Sequence, residues 1–249
     1  MGREEKEQII ILKTYPVGEN HRGVKLLTPG NGVLSALVYG GNGKNSSKKG
    51  AVIPFCYGWG ELVHDRARGR YQLKEFAVES SFSPIREELR KTYIASLWAE
   101  MLMGSYGGGH HGPELFLLFL EGLHYLAEGE GETEDFRIMI RFLWDYLALS
   151  GERPDPSRCS RCGRPTGDGL FRDQRGHIFC SSCAHSGMGR LPLGIVPYLN
   201  RADDTNWEEF LKIGMALQTM DQLKRWLFAV IQDHMGYRLK TLKSGSFLL

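Results

Sequence analysis

The sequence predicts an α+β protein in which a small β-barrel is followed by an all-helical domain with an inserted metal-binding element. Three observations support this fold class. Short apolar runs alternate with Gly, Pro and Asn turns over the first 80 residues, after which the apolar residues take helical spacing. Four of the 5 cysteines stand in two C-x2-C pairs. At 249 residues with 42% hydrophobic content, the chain can hold one large domain or two to three small ones.

The predicted barrel occupies residues 1–82 and contains five strands. The runs that predict these strands are Ile9–Lys13, Val24–Thr28, Val33–Val38, Ala51–Tyr57 and Tyr71–Val78. Five short antiparallel strands in about 80 residues are typical of an OB-fold, whose open face and loops commonly hold oligonucleotides. An SH3-like barrel or a small sandwich would have the same number of strands, so the strand count alone does not choose among the three.

The predicted helical domain covers residues 83–249. Pro84 suits the first turn of a helix, and the apolar residues from Ile94 to Leu102 then recur with helical spacing. Further helices are predicted at residues 113–127, 134–149, 207–220 and 221–235. The helix at 113–127 is apolar almost all round, so we expect it at the centre of a helical bundle.

The two C-x2-C pairs predict a zinc site within an element at about residues 156–187. The candidate ligands are Cys159, Cys162, Cys180 and Cys183, with 17 residues between the inner two. A C-x2-C turn lets two thiolates reach one metal ion, and the loop between the pairs brings the second turn round to complete a tetrahedron. Four thiolates leave no position for water, so we predict a structural Zn²⁺ ion rather than a catalytic one.

Two disulfides are the alternative interpretation of the same four cysteines. The chain begins with charged residues where a secretory signal needs an apolar core, and no apolar run approaches the length of a membrane span. We therefore expect a cytoplasmic protein with no membrane segment, whose thiols stay reduced and available to a metal. Cys56 stands alone beside Pro54 and Phe55, and is expected to be a small buried apolar residue.

Basic side chains cluster around the turns of the predicted barrel. Residues 1–80 carry 12 Lys and Arg against 8 Asp and Glu, whereas residues 81–150 carry 5 against 11. Tyr15, Tyr39 and Tyr57 offer faces on which bases could stack. An ordinary polar surface for the cations, and packing in the barrel core or at its rim for the tyrosines, are the alternatives. The basic residues that we predict to contact DNA phosphates are Lys13, Arg22, Lys25, Lys44, Lys48 and Lys49.

Arg137 and Arg141 lie one helical turn apart on an otherwise apolar helix in the acidic centre of the chain. Arginine binds a carboxylate through two parallel hydrogen bonds. The pair is therefore a candidate site for the anionic end of a partner peptide beside an apolar pocket. Salt bridges to Glu and Asp side chains of the same segment are the alternative.

The motifs of the enzyme classes considered do not occur in the sequence. The Gly43-Lys44 pair lacks the spacing of a phosphate-binding loop, because Val38 stands where that loop needs its first glycine. None of the 8 histidines is followed two residues later by Glu, and neither cysteine pair is preceded by Pro, which excludes the zinc deaminase pattern. We therefore predict that the protein is not an enzyme.

Seven short motifs follow one another along nearly the whole chain. They are Leu12–Thr14, Gly18–Arg22, Thr28-Pro29, Tyr93–Leu97, Pro113–Phe116, Pro154–Gly163 and Gly236–Ser244. Together these motifs resemble those of the bacterial recombination mediator family RecO. The C-x2-C-G pattern after the third helix makes the set specific, whereas the loop at residues 40–49 is less basic than is common in that family.

The resemblance implies an N-terminal OB-fold, a helical domain and an inserted zinc element, as the residue patterns do. It also implies a function in DNA repair and homologous recombination, in the RecF pathway. Members of the family bind single- and double-stranded DNA, anneal complementary strands, and work with RecR to load RecA on DNA coated by single-strand-binding protein. Such a protein is expected at the bacterial nucleoid.

Two of these implied contacts concern particular residues of this chain. The family recognises the acidic, hydrophobic C-terminal tail of single-strand-binding protein on its helical domain, which implies that role for Arg137 and Arg141. Lys240 and Lys243 belong to the closing motif and are added to the candidate DNA contacts. Two other hypotheses stay open: an interaction adaptor whose zinc knuckle supports binding of a partner tail without DNA, and a zinc-dependent enzyme, which requires an open metal position.

Overall fold

A computed structural model describes residues 4–41, 52–65, 69–105, 111–167 and 169–245 of the chain. The chain divides into two compact units, one of Met1–Glu128 with Gly245–Leu249 and one of Gly129–Ser244. The first unit joins the barrel to the helices that directly follow it. The domain division predicted at residue 82 stays a prediction.

The first unit begins with a closed barrel of five strands. The strands are β1 (Glu4–Val17), β2 (His21–Thr28), β3 (Gly32–Val38), β4 (Tyr57–Asp65) and β5 (Arg70–Ser80). Their order around the barrel is β1-β2-β3-β5-β4, and β3 pairs with β5 in parallel while the other neighbours pair antiparallel. This OB-like barrel confirms the predicted fold class, since a sandwich would consist of two separate sheets.

Alternate residues of the strands fill the barrel. Ile9 and Ile11 of β1 pack inward with Val24 and Leu26 of β2, and all four side chains are fully buried. The register between β1 and β2 shifts between Ile11 and Lys13, which is a β-bulge. A bulge adds one residue to the strand and so turns the following side chains to the other face.

One predicted strand is wrong. The described residues of the predicted strand Ala51–Tyr57 form turns up to Cys56, and β4 begins only at Tyr57. Pro54 has no N–H to donate, and Phe55 has a left-handed φ of 71°, so neither suits a paired strand.

The residues of β4 were not predicted as a strand because its two glycines look like turn signals. A Cβ on Gly58 would lie 2.0 Å from the carbonyl oxygen of Ala77, and a Cβ on Gly60 would lie 2.1 Å from Cδ1 of Ile9. Both glycines are therefore required where another chain segment approaches closely, and neither begins a turn.

Three helices follow the barrel in the described part of the first unit. They are α1 (Ser83–Glu87), α2 (Leu89–Gly104) and α3 (Gly112–Glu128). Pro84 lies in the first turn of α1, as the sequence predicts. The helix predicted at 113–127 does not lie at the centre of a bundle as expected, because Leu117 of α3 is 59% exposed while its neighbour Leu118 is buried.

The second unit contains five described helices and a small sheet. The helices are α4 (Gly131–Leu149), α5 (Ile195–Asp204), α6 (Trp207–Leu211), α7 (Leu217–Met235) and α8 (Lys240–Ser244). The sheet consists of β6 (Leu170–Arg172), β7 (Ile178–Phe179) and β8 (Gly189–Leu191), in the order β7-β6-β8. None of the helices in the described part of the chain is both long and apolar enough to cross a membrane.

Two helix predictions in the second unit differ from the structure. The predicted helix 207–220 is wrong: α6 ends at Leu211, and α7 starts at Leu217 after a segment that contains Gly214, a poor helix former. Helix α5 was not predicted, although its buried residues have helical spacing and Pro197 lies in its first turn, where a missing N–H is tolerated.

Candidate functional site

The four predicted metal ligands meet at one point in the second unit. Cys159 and Cys162 follow α4, Cys180 follows β7 directly, and Cys183 lies in the next turn. All four Sγ atoms lie within 4.8 Å of one another, and those of Cys162 and Cys180 are 3.8 Å apart. A tetrahedral ion with bonds of about 2.3 Å to sulfur requires sulfur–sulfur distances of about 3.8 Å. The four thiols can therefore hold a metal ion.

The backbone around the cysteines forms two tight turns. The N–H of Gly163 donates to the carbonyl oxygen of Cys159 at 2.9 Å, and that of Cys183 donates to the carbonyl oxygen of Cys180 at 3.0 Å. Gly163 has a φ of +70°, a left-handed conformation that glycine adopts without steric cost. All five cysteines are free thiols, so the alternative of two disulfides is not what the structure contains.

The electrostatic environment favours a thiolate at the first ligand. Burial opposes ionisation of Cys159, but backbone N–H groups, that of Cys180 foremost, donate to its sulfur and lower its pKa to about 6. The hydrogen bond with Cys162, together with burial, raises the pKa of Cys183. In contrast, Cys56 is 1% exposed and outside the cluster, and burial raises its pKa, which confirms it as a buried apolar residue.

A glycine turn attaches the cysteine element to α7 within the second unit. The indole N–H of Trp226 donates to the carbonyl oxygen of Gly176 at 2.7 Å, in a buried position. Gly176 has a φ of +92°, and a Cβ there would lie 2.5 Å from Cγ2 of Val230. Asp173 closes the same turn by accepting from the N–H groups of Arg175 and His177, both at 2.9 Å.

Lys13 and Lys25 face each other across β1 and β2 on the outside of the barrel. The β-bulge after Ile11 gives Lys13 this orientation, because unbroken alternation would have turned it inward. Lys25 Nζ donates to Ser35 Oγ at 2.6 Å. The two predicted cations thus share one outer surface.

Tyr15 lies on the same outer surface, in the next cross-strand pair that points outward. Its ring covers Gly23, where an added Cβ would come within 2.2 Å of the tyrosine Cε2. The Tyr15 side chain remains 39% exposed. Glycine at position 23 therefore leaves room for the Tyr15 ring against the strand, while part of that side chain stays exposed to solvent.

The surface continues to the end of the barrel where β2 begins and β3 ends. The rings of His21 and Tyr39 meet edge to face with centroids 5.0 Å apart, and Arg70 Nη2 donates to the Tyr39 hydroxyl at 3.0 Å. His21 and Arg70 were not predicted as members of this surface. A single histidine or arginine next to a turn does not show the spacing of a strand or a helix, so nothing in the sequence singled them out. We name this outer surface the barrel face, comprising Lys13, Tyr15, His21, Lys25, Tyr39 and Arg70.

Arg22 and Tyr57, which were also predicted to contact DNA, do not lie on the barrel face. Arg22 is on the inward side of β2 and donates from Nη1 to the carbonyl oxygen of Val52 at 2.8 Å. The Tyr57 hydroxyl accepts a hydrogen bond from Gln8 Nε2 at 2.8 Å, and its ring packs near Phe116. Predicted contacts that lie outside the described residues are Lys44, Lys48 and Lys49.

Lys240 and Lys243 belong to a different compact unit from the barrel face. Both are exposed on the short helix α8. Their predicted role in DNA binding stays a prediction.

Arg141, the first candidate for tail binding, is 8% exposed and contacts a carboxylate, a backbone carbonyl group and two aromatic rings. Its Nε donates to Asp145 Oδ2 at 2.7 Å, and its Nη1 donates to the carbonyl oxygen of Thr205 at 3.0 Å. The guanidinium carbon lies 5.7 Å from the ring centroid of Trp207 and 5.4 Å from that of Phe210. Burial raises the pKa of Asp145, and the hydrogen bond from Arg141 opposes this effect.

Arg137, the second candidate, keeps unused hydrogen-bonding capacity. Its Nη1 donates to the carbonyl oxygen of Leu211 at 3.0 Å, whereas its buried Nε has no partner among the described residues. The buried hydroxyl of Tyr198 likewise has none. Burial raises the pKa of Tyr198 although the charges of Arg137 and Arg141 act against it. We name Arg137, Arg141, Tyr198, Trp207 and Phe210 the arginine cluster.

Two family models together match nearly the whole chain. The family model "Recombination protein O N terminal" matches residues 1–82, and "Recombination protein O C terminal" matches residues 86–243. The chain belongs to the RecO family. The resemblance found in the sequence motifs is thereby confirmed.

Curated RecO relatives match the chain over nearly its whole length. A protein of Desulforamulus reducens named "DNA repair protein RecO" is 29% identical over 248 residues, covering 98% of this chain and 93% of the relative. A protein of the same name from Bacillus pumilus is 26% identical over 240 residues, covering 96% and 92%. The chain is therefore a DNA repair protein of the RecO family.

Proposed function

We propose that this protein is a non-enzymatic mediator of DNA repair and homologous recombination in the RecF pathway. It binds single- and double-stranded DNA, anneals complementary strands, and acts with RecR to load RecA on DNA coated by single-strand-binding protein. The protein works in the cytoplasm, at the nucleoid. Membership of the RecO family and the chemistry of the barrel face support this proposal.

The composition of the barrel face is the main support for DNA binding. Lys13 and Lys25 supply two adjacent positive charges, and the partly exposed ring of Tyr15 belongs to the next cross-strand pair on the same face. Cations that track phosphates combined with rings that stack bases are the features by which proteins bind single strands without sequence preference. OB-folds commonly bind nucleic acid on the surface of strands 2 and 3 and the adjoining loops. Lys25 and the His21–Tyr39 ring pair lie on this surface.

A recombination mediator exchanges one binding partner for another and neither makes nor breaks covalent bonds. Phosphate contacts made by lysine and arginine release counterions, so the affinity for DNA falls steeply as salt rises. A surface of this kind holds DNA firmly enough to bring two strands together and releases each when a competing partner binds.

The cysteine cluster would hold a structural Zn²⁺ ion. Cys159, Cys162, Cys180 and Cys183 supply four sulfur ligands, and bound zinc would crosslink the two turns that carry them. The Gly176 turn then attaches the crosslinked element to α7. Its role in function is to keep this part of the second unit folded.

The arginine cluster is the proposed site for the acidic tail of single-strand-binding protein. The Arg141 guanidinium lies beside the aromatic rings of Trp207 and Phe210, and Arg137 stands one helical turn away on the same helix. The Arg137 side chain is partly exposed, so its guanidinium could donate to a carboxylate of the tail. The same observation favours the second candidate function, an adaptor that binds the partner tail without DNA.

Oligonucleotide binding by the full chain tests the proposal. Anisotropy of a labelled single strand and of a duplex would be measured over a salt series for wild type, Lys13→Glu and Lys25→Glu. Each substitution should weaken binding about ten-fold or more and lower the salt slope by about 0.7 on single strands. Lys6→Glu is the matched control, since Lys6 is exposed on the same strand but away from the barrel face.

The results separate the two candidate functions. If the wild-type chain bound neither oligonucleotide, or bound both without salt dependence, the mediator would be excluded. If DNA binding were unchanged in Lys13→Glu and Lys25→Glu while Arg137→Gln lost binding of the tail peptide, the adaptor would be favoured.

A further inference from the structure

The small sheet of the cysteine element has one buried face and one open face. Leu170, Ile178 and Leu191 are buried, with at most 3% exposure. Phe171 of β6 is paired with Phe179 of β7 on one side and with Arg190 of β8 on the other. Because side chains alternate along a strand and paired residues share a face, these three side chains lie together on the opposite face from the buried ones.

The two phenylalanines on this open face are only half-buried. Neighbouring strands lie about 4.8 Å apart, so the rings stand side by side on adjacent strands. Single-stranded nucleic acid is commonly bound on such a platform, where aromatic side chains on adjacent strands of a sheet each stack one base. Arg190 at the end of the row is exposed and has no ion pair within the described part of the chain.

The charge around the two phenylalanine rings, Phe171 and Phe179, which we call the platform, also suits a polyanion. Residues 156–191 contain 6 Arg against 2 Asp, with no Lys or Glu, so this segment alone is more positive than the whole chain at +2. Five of the six arginines are exposed: Arg158, Arg161, Arg164, Arg175 and Arg190.

Two of these arginines flank the platform at the edge opposite Arg190. The N–H of Ser160 donates to the carbonyl oxygen of Ile178 at 2.8 Å, which places the first cysteine turn along the free edge of β7. Arg161 and Arg164 belong to that turn and make no ion pair within the described ranges. Cations therefore stand at both ends of the aromatic row, where the backbone of a strand crossing the sheet would pass.

We infer that the face bearing Phe171, Phe179 and Arg190 is a second binding surface for single-stranded nucleic acid, separate from the barrel face. The two rings stack successive unpaired bases, and the flanking arginines contact phosphates. This inference rests on the proposed DNA binding and extends it to the second unit. A duplex keeps its bases stacked on one another, so the surface distinguishes single strands from duplexes.

The phenylalanines could instead serve only to cover the cysteine cluster. Phe171 lies against Gly169, where an added Cβ would be 3.1 Å from its Cε2, and Phe179 directly precedes the ligand Cys180. Leucine covers apolar surface almost as well as phenylalanine but has no ring on which a base can stack. Phe171→Leu/Phe179→Leu therefore separates the two roles.

The test measures single-strand and duplex affinity of the full chain, bound metal and circular dichroism for this double variant and for Arg190→Gln. We expect the double variant to lose about ten-fold or more in single-strand affinity, with duplex affinity, metal content and dichroism unchanged. Arg190→Gln should lower the salt slope on single strands by about 0.7. Leu217→Ala and Arg225→Gln, two exposed positions on α7, are the matched controls and should bind as wild type.

Photocrosslinking gives a readout that does not depend on the variants folding. A single strand carrying 5-iodouracil, bound to wild-type protein and irradiated, should crosslink to peptides containing Phe171 or Phe179. Crosslinks confined to the barrel, unchanged single-strand affinity in the double variant, or equal loss of both affinities together with the metal would each overturn the inference. If Lys13→Glu still weakened binding in those cases, the proposed function would stand; if wild type bound no oligonucleotide, both would fall.

Discussion

Trp226 of α7 and Gly176 of the cysteine element are joined by a buried hydrogen bond of 2.7 Å, from the indole N–H to the glycine carbonyl oxygen. This contact fixes the element on its unit independently of the metal. Position 176 must be glycine, since its φ is +92° and Val230 fills the space that a Cβ would need.

Trp226→Phe should lower the free energy of unfolding by about 2 kcal/mol. The substitution leaves a buried carbonyl group without its donor, which costs about 1–3 kcal/mol, and removes part of a buried aromatic side chain. Chemical denaturation checks this value. Trp59→Phe is the control, because Trp59 is 38% exposed and its loss should change stability by less than about 0.5 kcal/mol.

Cys159→Ser and Cys183→Ser should each lose bound zinc and stability together. Serine is a poor ligand for Zn²⁺, and a site left with three thiolates binds the ion less tightly, so the folding energy that binding supplies is reduced. Metal analysis and thermal melting are the measurements. Cys56→Ala should keep its metal, since Cys56 lies outside the cluster. Full zinc occupancy in either serine variant would contradict the four-ligand assignment.

Gly58→Ala should destabilise the barrel by about 2 kcal/mol or more, and Gly60→Ala by less. At position 58 the new Cβ would meet a backbone carbonyl at 2.0 Å, which cannot move without disrupting β5, whereas at position 60 it would meet the end of the Ile9 side chain. Urea denaturation measures the difference. Gly214→Ala, which would meet nothing within 4 Å, is the control and should be neutral or slightly stabilising.

The sequence could predict the features that depend on local patterns, and Gly58 shows a feature that it could not predict. The cysteine spacing and the helices α2 and α4 follow from local patterns, and the structure contains them. The need for Gly58 depends on Ala77, which is distant in the chain and adjacent only after the barrel closes. Sequence patterns carry no signal for such a contact.

The same limit applies to the candidate sites. That Lys13 faces Lys25 depends on a bulge that only the strand register reveals. The ion pair of Arg141 with Asp145 was accessible from the sequence, because residues four apart on a helix are neighbours. Its burial under α6 was not, since that part of the chain was predicted as one long helix.

Asp173→Asn should lower stability at neutral pH, and the loss should shrink in acid. Burial opposes ionisation of Asp173, but hydrogen bonds from His177 and from backbone N–H groups hold the pKa below its usual 3.8. A carboxyl group with a lowered folded-state pKa stabilises the fold above the unfolded value, and this contribution is lost as the pH falls through the folded value. Denaturation of both proteins between pH 7 and pH 3 should therefore give curves that converge only below about pH 4. A difference that grew in acid would contradict the assignment.

Arg141→Ala should lower the free energy of unfolding by about 3 kcal/mol, because it leaves the largely buried Asp145 carboxylate without its partner. Arg141→Ala alone therefore does not distinguish a lost contact with the tail peptide from loss of the folded structure. Arg141→Ala/Asp145→Leu removes both charges and should recover most of the stability, as measured by denaturation. If the double variant folds and still binds the tail peptide, Arg141 is a structural residue, and Arg137→Gln then tests whether the tail contact comes from Arg137. If it folds and does not bind, the guanidinium between Trp207 and Phe210 is itself part of the recognition site.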